Sequence, residues 1–451
     1  MSALAALLRV ERRHAALAPW RTALFGALVA APAATWVAAT ALQRTLAPTS
    51  EGGAFEAVAA QVVGGFGFAV AALVIGAAAA VGHERRGHEL AQLLACGARR
   101  RTIAAALVLS TAVVALAASL VGVLFGASAA ALLLPLYDAW TGGDHALELV
   151  PSAFVSAPTL GVLVAVGAAA PSIHRATRPT KAPPGPALER RERRARIAAA
   201  VLACVAGFAL VALARPASRA SAVWTLGSGS LLGLVGTAGL AGPLMRCLAR
   251  AVGRAPLAAR LAARDAARAP GRSSAAALAI LAGLAGMTLI GSLASAVERV
   301  ARANGDAPRG MEPLLVLAFV GASLAGLLVV AAATALNAVE GRRDTWLLAV
   351  HGAHPRTVLA VHGARAAHLA LVGGVLSVPA GLLPALGLVR LAEVPLTFAV
   401  PWRELSLALV VLPALAFGLG AALGLAIEGS HTLGAARRPD VAAPSNPNSH
   451  R

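Results

Sequence analysis

About ten apolar runs, each of roughly 20 residues or more, constrain this chain more than any other feature of its sequence. Such a run spans the roughly 30 Å hydrocarbon core of a bilayer, where a backbone satisfies its hydrogen bonds as a helix. The runs lie at 22–43, 59–82, 103–136, 153–173, 197–214, 221–245, 274–297, 313–338, 363–389 and 405–427. The sequence therefore predicts an all-α polytopic membrane protein with about ten transmembrane helices.

The composition agrees with a membrane protein and excludes several soluble classes. Hydrophobic residues make up 58% of the chain and charged residues only 13%. The net charge of +19 does not predict nucleic-acid binding, because the basic residues fall between apolar runs and are not gathered on one folded face. Their expected neighbours are membrane lipids of the anionic inner leaflet. The three cysteines show no pairing pattern, so neither a disulfide framework nor a metal site is expected.

The distribution of basic residues predicts the orientation of the chain. If the N-terminus is cytoplasmic, all but eight of the 39 lysine and arginine residues fall on the cytoplasmic side. The eight exceptions are Arg44, Arg215, Arg219, Arg299, Arg302, Arg309, Arg390 and Arg403. An odd number of spans would mix the two groups. We therefore expect a multi-pass protein of the cell membrane with both termini in the cytoplasm.

A charged segment from Glu84 to Ile103 is repeated from Glu340 to Val358. Aligning Gly97 with Gly352 pairs Glu89 with Asp344, Leu93 with Leu348, Ala98 with Ala353, Arg101 with Arg356, Thr102 with Thr357 and Ile103 with Val358. In the first copy, leucines at helical spacing predict a short amphipathic helix along the inner membrane surface, which Gly97 ends. Thr102 and Ile103 then begin the next span. Each copy is thus a short helix joined to two spans, which can act as a mechanical lever.

The order of spans and loops predicts a parallel duplication, because six helices separate equivalent members and an even offset preserves orientation. The predicted units are a first four-helix module (1–173), a Pro/Arg-rich cytoplasmic linker (174–196), a central helix pair (197–245), a basic amphipathic lead-in (246–273), a second four-helix module (274–427) and a disordered cytoplasmic tail (428–451). The glycines at 64, 65 and 67 lie in an apolar run, and we interpret them as close helix-packing positions.

The segments ELAQLLACGARRRTI, LAARDAARAPGRSSAAALAI and DTWLLAVHGAHPRTV, in this order along the chain, resemble the signature of FtsX-like permeases, the membrane subunits of MacB-type ABC transporters. The resemblance implies the ten-helix plan and a coupling helix that docks in a groove of a separate cytoplasmic ATPase. The implied coupling residues are Glu89, Leu93, Gly97, Ala98, Arg101, Thr102, Asp344, Leu348, Gly352, Ala353, Arg356 and Thr357. Family members usually carry large extracytoplasmic domains, and here the corresponding loops, 44–58 and 298–312, are short.

The chain is not expected to be an enzyme, nor to bind a cofactor or metal. Its single lysine, Lys181, lies in RPTKAPP, so the chain has no GxxxxGK[ST] phosphate loop and an ATPase must be a separate polypeptide. We therefore expect a permease that exports or extrudes an amphipathic, lipid-like or peptide cargo, working as a homodimer or as a pseudo-dimeric monomer. The alternatives are a scaffold that transmits ATPase motion across the membrane and, less favoured, an ion-coupled transporter, which usually needs charges buried at mid-membrane.

Overall fold

A computed structural model describes residues 19–46, 53–85, 87–142, 144–177, 186–213, 219–268, 270–304, 347–348, 350–391 and 401–436, together with Arg9 and Arg13. All regular elements in these ranges are helical. The predicted span at 313–338 and Asp344 lie outside the described residues. The all-α class predicted from the apolar runs is confirmed.

The described helices are, in chain order, α1 (Pro19–Leu46), α2 (Gly53–Arg85), α3 (Gly87–Ala95), α4 (Arg100–Thr141), α5 (Pro151–Ala176), α6 (Pro186–Leu213), α7 (Arg219–Gly239), α8 (Ala241–Ala251), α9 (Leu257–Arg268), α10 (Pro270–Asn304), α11 (Pro355–Leu391), α12 (Trp402–Ser406) and α13 (Leu412–Ala436). A 3₁₀ turn, Val252–Arg254, separates α8 from α9, and a π-helical turn, Leu407–Val411, joins α12 to α13.

Seven helical segments among the described residues are long and apolar enough to cross a membrane: Phe25–Thr45, Arg100–Ala139, Pro151–Ala176, Arg191–Leu213, Ser273–Ala296, Pro355–Arg390 and Trp402–Leu425. Each coincides with a predicted span. The predicted span at 59–82 corresponds to α2, a helix of 33 residues whose apolar part is Gly64–Ala80. The prediction of a multi-pass membrane protein is therefore confirmed.

The predicted span at 221–245 is bent and not continuous. The structure ends α7 at Gly239 and bends by 40° before α8. Pro243 explains the break, because it has no N–H to donate to the carbonyl of Gly239, four residues earlier. Together α7 and α8 are long and apolar enough to form one bent crossing, and α7 alone, with 21 residues, is about 32 Å long. We therefore place α8 at the inner end of this crossing.

The first module packs α1 against α4 and α2 against α5. The closest backbone approach lies between α1 and α4, where Gly122 and Gly126 face Ala30 and Ala34. A Cβ atom added at either glycine would lie only 2.9 Å from the Cα atom of the facing alanine. These four small residues, each pair spaced by four positions, let two long helices meet backbone to backbone.

The second module and the central helix pair share one apolar core. In the most apolar stretch of α10 and of α11, 67% is buried inside the protein, compared with 17% in α6. The shared core includes Leu281 of α10, Leu369 of α11 and Leu234 of α7, and Phe66 of α2 belongs to it as well. The helix pair α2 and α10 thus forms a seam where the first module meets the second.

The faces of α4 and α6 that point away from the apolar cores carry exposed large apolar side chains. Leu132 is 76% exposed on α4 and Leu213 is 79% exposed on α6. In water such a surface would be unfavourable, but lipid tails are as apolar as leucine. These faces are therefore the ones that meet the hydrocarbon of the membrane.

Candidate functional site

The first charged segment contains a short helix, α3, held against the inner ends of two spans. Leu90 is buried among Ile103 and Leu107 of α4 and Ala169 and Ile173 of α5, and Leu93 and Leu94 pack against the same cluster. Glu89 and Gln92 lie on the exposed face. The inner ends of α4 and α5 thus cover Leu90.

A tight turn ends α3. Gly97 has a φ angle of +89°, a left-handed conformation that favours glycine. The Gly97 N–H donates to the Leu94 carbonyl at 3.0 Å, and the Ala98 N–H donates to the Leu93 carbonyl at 3.0 Å. This pair of bonds is the Schellman arrangement of a helix C-terminus. The next helix begins at once, since the Thr102 N–H donates to the Arg99 carbonyl at 2.9 Å.

The second charged segment contains the same turn. Gly352 has a φ angle of +81°, and the Ala353 N–H donates to the Leu348 carbonyl at 3.0 Å. The Thr357 N–H donates to the His354 carbonyl at 2.8 Å, as Thr102 does to Arg99. Gly97 and Gly352 are the two positive-φ glycines that the alignment pairs. The register read from the sequence is thus reproduced by the glycine conformation and by these backbone hydrogen bonds.

The predicted coupling residues in the two turns also match in exposure. Gly97, Gly352, Arg101 and Arg356 are exposed, whereas the residue that opens the following span, Ile103 or Val358, is buried. The other aligned pairs are half-buried in both copies: Leu93 and Leu348, Ala98 and Ala353, Thr102 and Thr357. The structure therefore exposes the glycine turn and the aligned arginine of each copy.

The order of the described crossings predicts that both turns lie on the same side of the membrane. The first turn follows α2, and three further crossings, α4, α5 and α6, precede α7, which returns the chain to the side of the first turn at Gly239. The helices α8 and α9 lie on that side, and α9 packs against α11, which begins just after the second turn. A single soluble partner can thus reach both turns.

An ion pair that sequence reasoning missed ties α9 to α11 near the second turn. Arg365 Nη2 lies 2.6 Å from Asp265 Oδ2, and the Arg365 side chain is only 5% exposed. His362, which the sequence suggests as an interfacial polar residue, is buried one helical turn before Arg365. One feature of the sequence does indicate a buried partner for Asp265: this acidic residue lies beside Ala262 and Ala266 on the apolar face of an amphipathic helix.

The inner ends of the first module are joined by a polar contact of their own. His83 Nδ1 at the end of α2 lies 2.9 Å from the Oγ atom of Ser172 in α5, and Ser172 is buried. Because α3 follows α2 directly and packs on α5, this contact joins the two spans that hold the short helix. The short helix thus follows α2 and packs on α4 and α5, so that it is tied to three spans.

The left-handed glycines provide a direct test of the turn. We expect Gly97→Ala and Gly352→Ala each to destabilise its turn by about 1 kcal/mol, because a Cβ atom is disfavoured at positive φ. Faster amide hydrogen exchange at Ala98 or Ala353 would report the loss. Gly227→Ala is the matched control, since Gly227 has no heavy atom within 4 Å of an added Cβ and its φ is not positive. Equal exchange rates in all three variants would contradict the assignment.

Residues 61–180 match the family model of the FtsX-like permease C-terminal domain. This range covers most of α2, all of α3 to α5 and therefore the whole first turn. No curated protein and no solved structure matches the chain. The recognition of an FtsX-like permease domain is confirmed for residues 61–180, which contain the first charged segment, and the match supports a membrane permease subunit of the ABC-transporter type.

Proposed function

Because the chain carries an FtsX-like permease domain, we propose that it couples ATP hydrolysis by a separate cytoplasmic ABC ATPase to the extrusion of a cargo across the cell membrane. FtsX-like permeases generally work with such an ATPase. In this proposal the docking points are the exposed turns at Gly97 and Gly352 together with the predicted coupling residues Glu89, Arg101, Asp344 and Arg356. The N- and C-termini and both turns then lie in the cytoplasm.

The observation that carries this proposal is the duplicated turn. Two segments, more than half the chain apart, share the same glycine conformation and equivalent backbone hydrogen bonds. A loop that only fixed topology would need basic residues but no particular backbone. A pair of ATPase subunits presents two similar grooves, and two similar turns fit them.

The packing of the turns explains how force would reach the spans. The apolar face of α3 is fixed to α4 and α5 through Leu90, so that pressure on α3 tilts these helices as a unit. In the second copy the turn continues into α11, the most central helix of the shared core. Closure of the ATPase pair would thus move one module against the other, a rigid-body transition of a common type.

The seam between the modules favours an amphipathic, lipid-like or peptide cargo. Its described lining includes Phe66 of α2 and Leu281 and Leu289 of α10, all buried and apolar. Opening this seam would expose an apolar surface next to the lipid, which suits a cargo that enters from the bilayer. A scaffold that only transmits motion would use the same turns but would not release cargo.

Charge reversal at the docking points tests the coupling. We expect Glu89→Arg with Asp344→Arg to abolish the ATP hydrolysis that co-purifies with the tagged permease from its own cell, because like charges across an interface repel. The matched control is Asp144→Arg with Glu192→Arg, which reverses two exposed carboxylates outside the turns. ATPase activity retained by the docking variant, at a normal level of membrane insertion, would refute the proposal.

A further inference from the structure

A cavity of about 500 Å³ lies at the joint between the central helix pair and the second module. Arg246 and Arg250 of α8 and Arg264 and Arg268 of α9 line it. Ala249, Gly253 and Ala267 complete the lining, so in the described part of the chain no carboxylate faces the cavity. Its volume falls within the range of ligand pockets. Four arginines around one cavity define a site for an anion.

The helical periodicity of α8 and α9 produces this arrangement. In each helix the two lining arginines are four positions apart and so share one face. The opposite faces are buried, with Met245 in α8 and Ala262 and Ala266 in α9 packed inward. The 3₁₀ turn Val252–Arg254 folds one helix back on the other. The two basic faces therefore meet across the cavity.

The nearby carboxylates are engaged elsewhere. Asp265 of α9 is turned toward α11, where it pairs with Arg365. Glu192 of α6 pairs with Arg196 one turn along its own helix, at 3.0 Å. The positive charges around the cavity thus have no acidic counterpart among its described lining residues.

Arg246, the half-buried member of the set, shows the electrostatic consequence. Burial, followed by repulsion from Arg193, Arg250 and Arg196, lowers the pKa of its guanidinium. Like charges held together in a partly desolvated place cost free energy that a bound anion recovers. The cluster is therefore built at a cost in stability, which a ligand would offset.

We propose that this cavity binds the phosphate group of an anionic phospholipid headgroup. Arginine is suited to phosphate because its planar fork makes paired, charge-assisted hydrogen bonds. The lipid is favoured over a soluble phosphate because α7 and α8, bent by 40°, are together apolar enough to cross a membrane. The arginines at the end of this pair are therefore expected at the inner headgroup layer. The bound headgroup clamps α8 to α9, and through the Asp265–Arg365 pair it steadies α11.

Lipid binding by the purified full-length chain tests the site. We compare phosphatidylglycerol with phosphatidylcholine by native mass spectrometry, in the wild type and in the triple variant Arg250→Gln, Arg264→Gln, Arg268→Gln. These three side chains are exposed, so the variant should fold. We expect the wild type to retain phosphatidylglycerol selectively and the variant to bind it roughly 100-fold more weakly.

The matched control is Arg99→Gln, Arg100→Gln, Arg191→Gln, which removes three exposed arginines on the same side of the membrane but outside the cavity. It should keep the wild-type lipid selectivity. Equal phosphatidylglycerol binding by the wild type and the cavity variant, with both folded by circular dichroism, would overturn the site. A second arm uses inorganic phosphate alone. If it fills the cavity while phosphatidylglycerol does not bind, the ligand is a soluble phosphate and the lipid assignment is wrong.

Discussion

Replacing Asp265 by Ala should lower the free energy of unfolding by about 3 kcal/mol, because it removes a partner of a buried guanidinium. Arg365 is 5% exposed and lies 2.6 Å from the Asp265 carboxylate, so its charge is poorly solvated once the carboxylate is absent. This loss lies at the lower end of the cost of breaking a buried ion pair, because the Asp265 side chain is 27% exposed and water can enter in its place. Denaturation in mixed micelles would measure the loss.

A double replacement separates the ion pair from simple packing. Asp265→Leu with Arg365→Met removes both charges and keeps an apolar contact between α9 and α11, so we expect a stability within about 1 kcal/mol of the wild type. The exposed pair Arg196 and Glu192 is the control, and Glu192→Ala should cost at most about 0.5 kcal/mol. If Asp265→Ala were no more costly than Glu192→Ala, the pair would not hold α9 in place.

Replacing Gly126 by Leu should destabilise the first module by about 3 kcal/mol or more, because the new side chain would overlap the backbone of α1. Even a Cβ atom at this position would lie 2.9 Å from the Cα atom of Ala34, and neither helix can yield without separating along its length. Gly122→Leu should act in the same way against Ala30. Unfolding in mixed micelles, with proteolysis of the loop between α1 and α2 as a second readout, would show the separation.

Gly167→Leu on α5 is the control for the helix-packing prediction. Gly167 is exposed and has no heavy atom within 4 Å of an added Cβ, so leucine there meets lipid and should change the free energy of unfolding by less than about 1 kcal/mol. The comparison holds the substitution constant and changes only the distance to a neighbouring backbone. Equal stability of Gly126→Leu and Gly167→Leu would show that α1 and α4 do not meet closely.

Long-range contacts explain why some parts of this structure were predictable and others were not. The spans could be read from the sequence because their length and apolarity are local properties fixed by bilayer thickness. The close approach at Gly122 and Gly126 could not, since it depends on which helix faces α4. The glycines at 64–67 show the same limit of sequence-based prediction. Gly64 packs on Trp36 of α1, whereas a Cβ atom added at Gly65 would have no heavy atom within 4 Å.

The sequence by itself determined the membrane class, the crossings that the structure describes and the register of the two charged turns. These properties depend on residues near one another in the chain, and Gly97 and Gly352 adopt the left-handed turn that their pairing implies. Only the tertiary structure decided that Leu90 packs on α4 and α5, that Asp265 meets Arg365, and that the arginines of α8 and α9 surround one cavity. Each of these contacts joins separate helices, and helix packing rather than local sequence sets which faces meet.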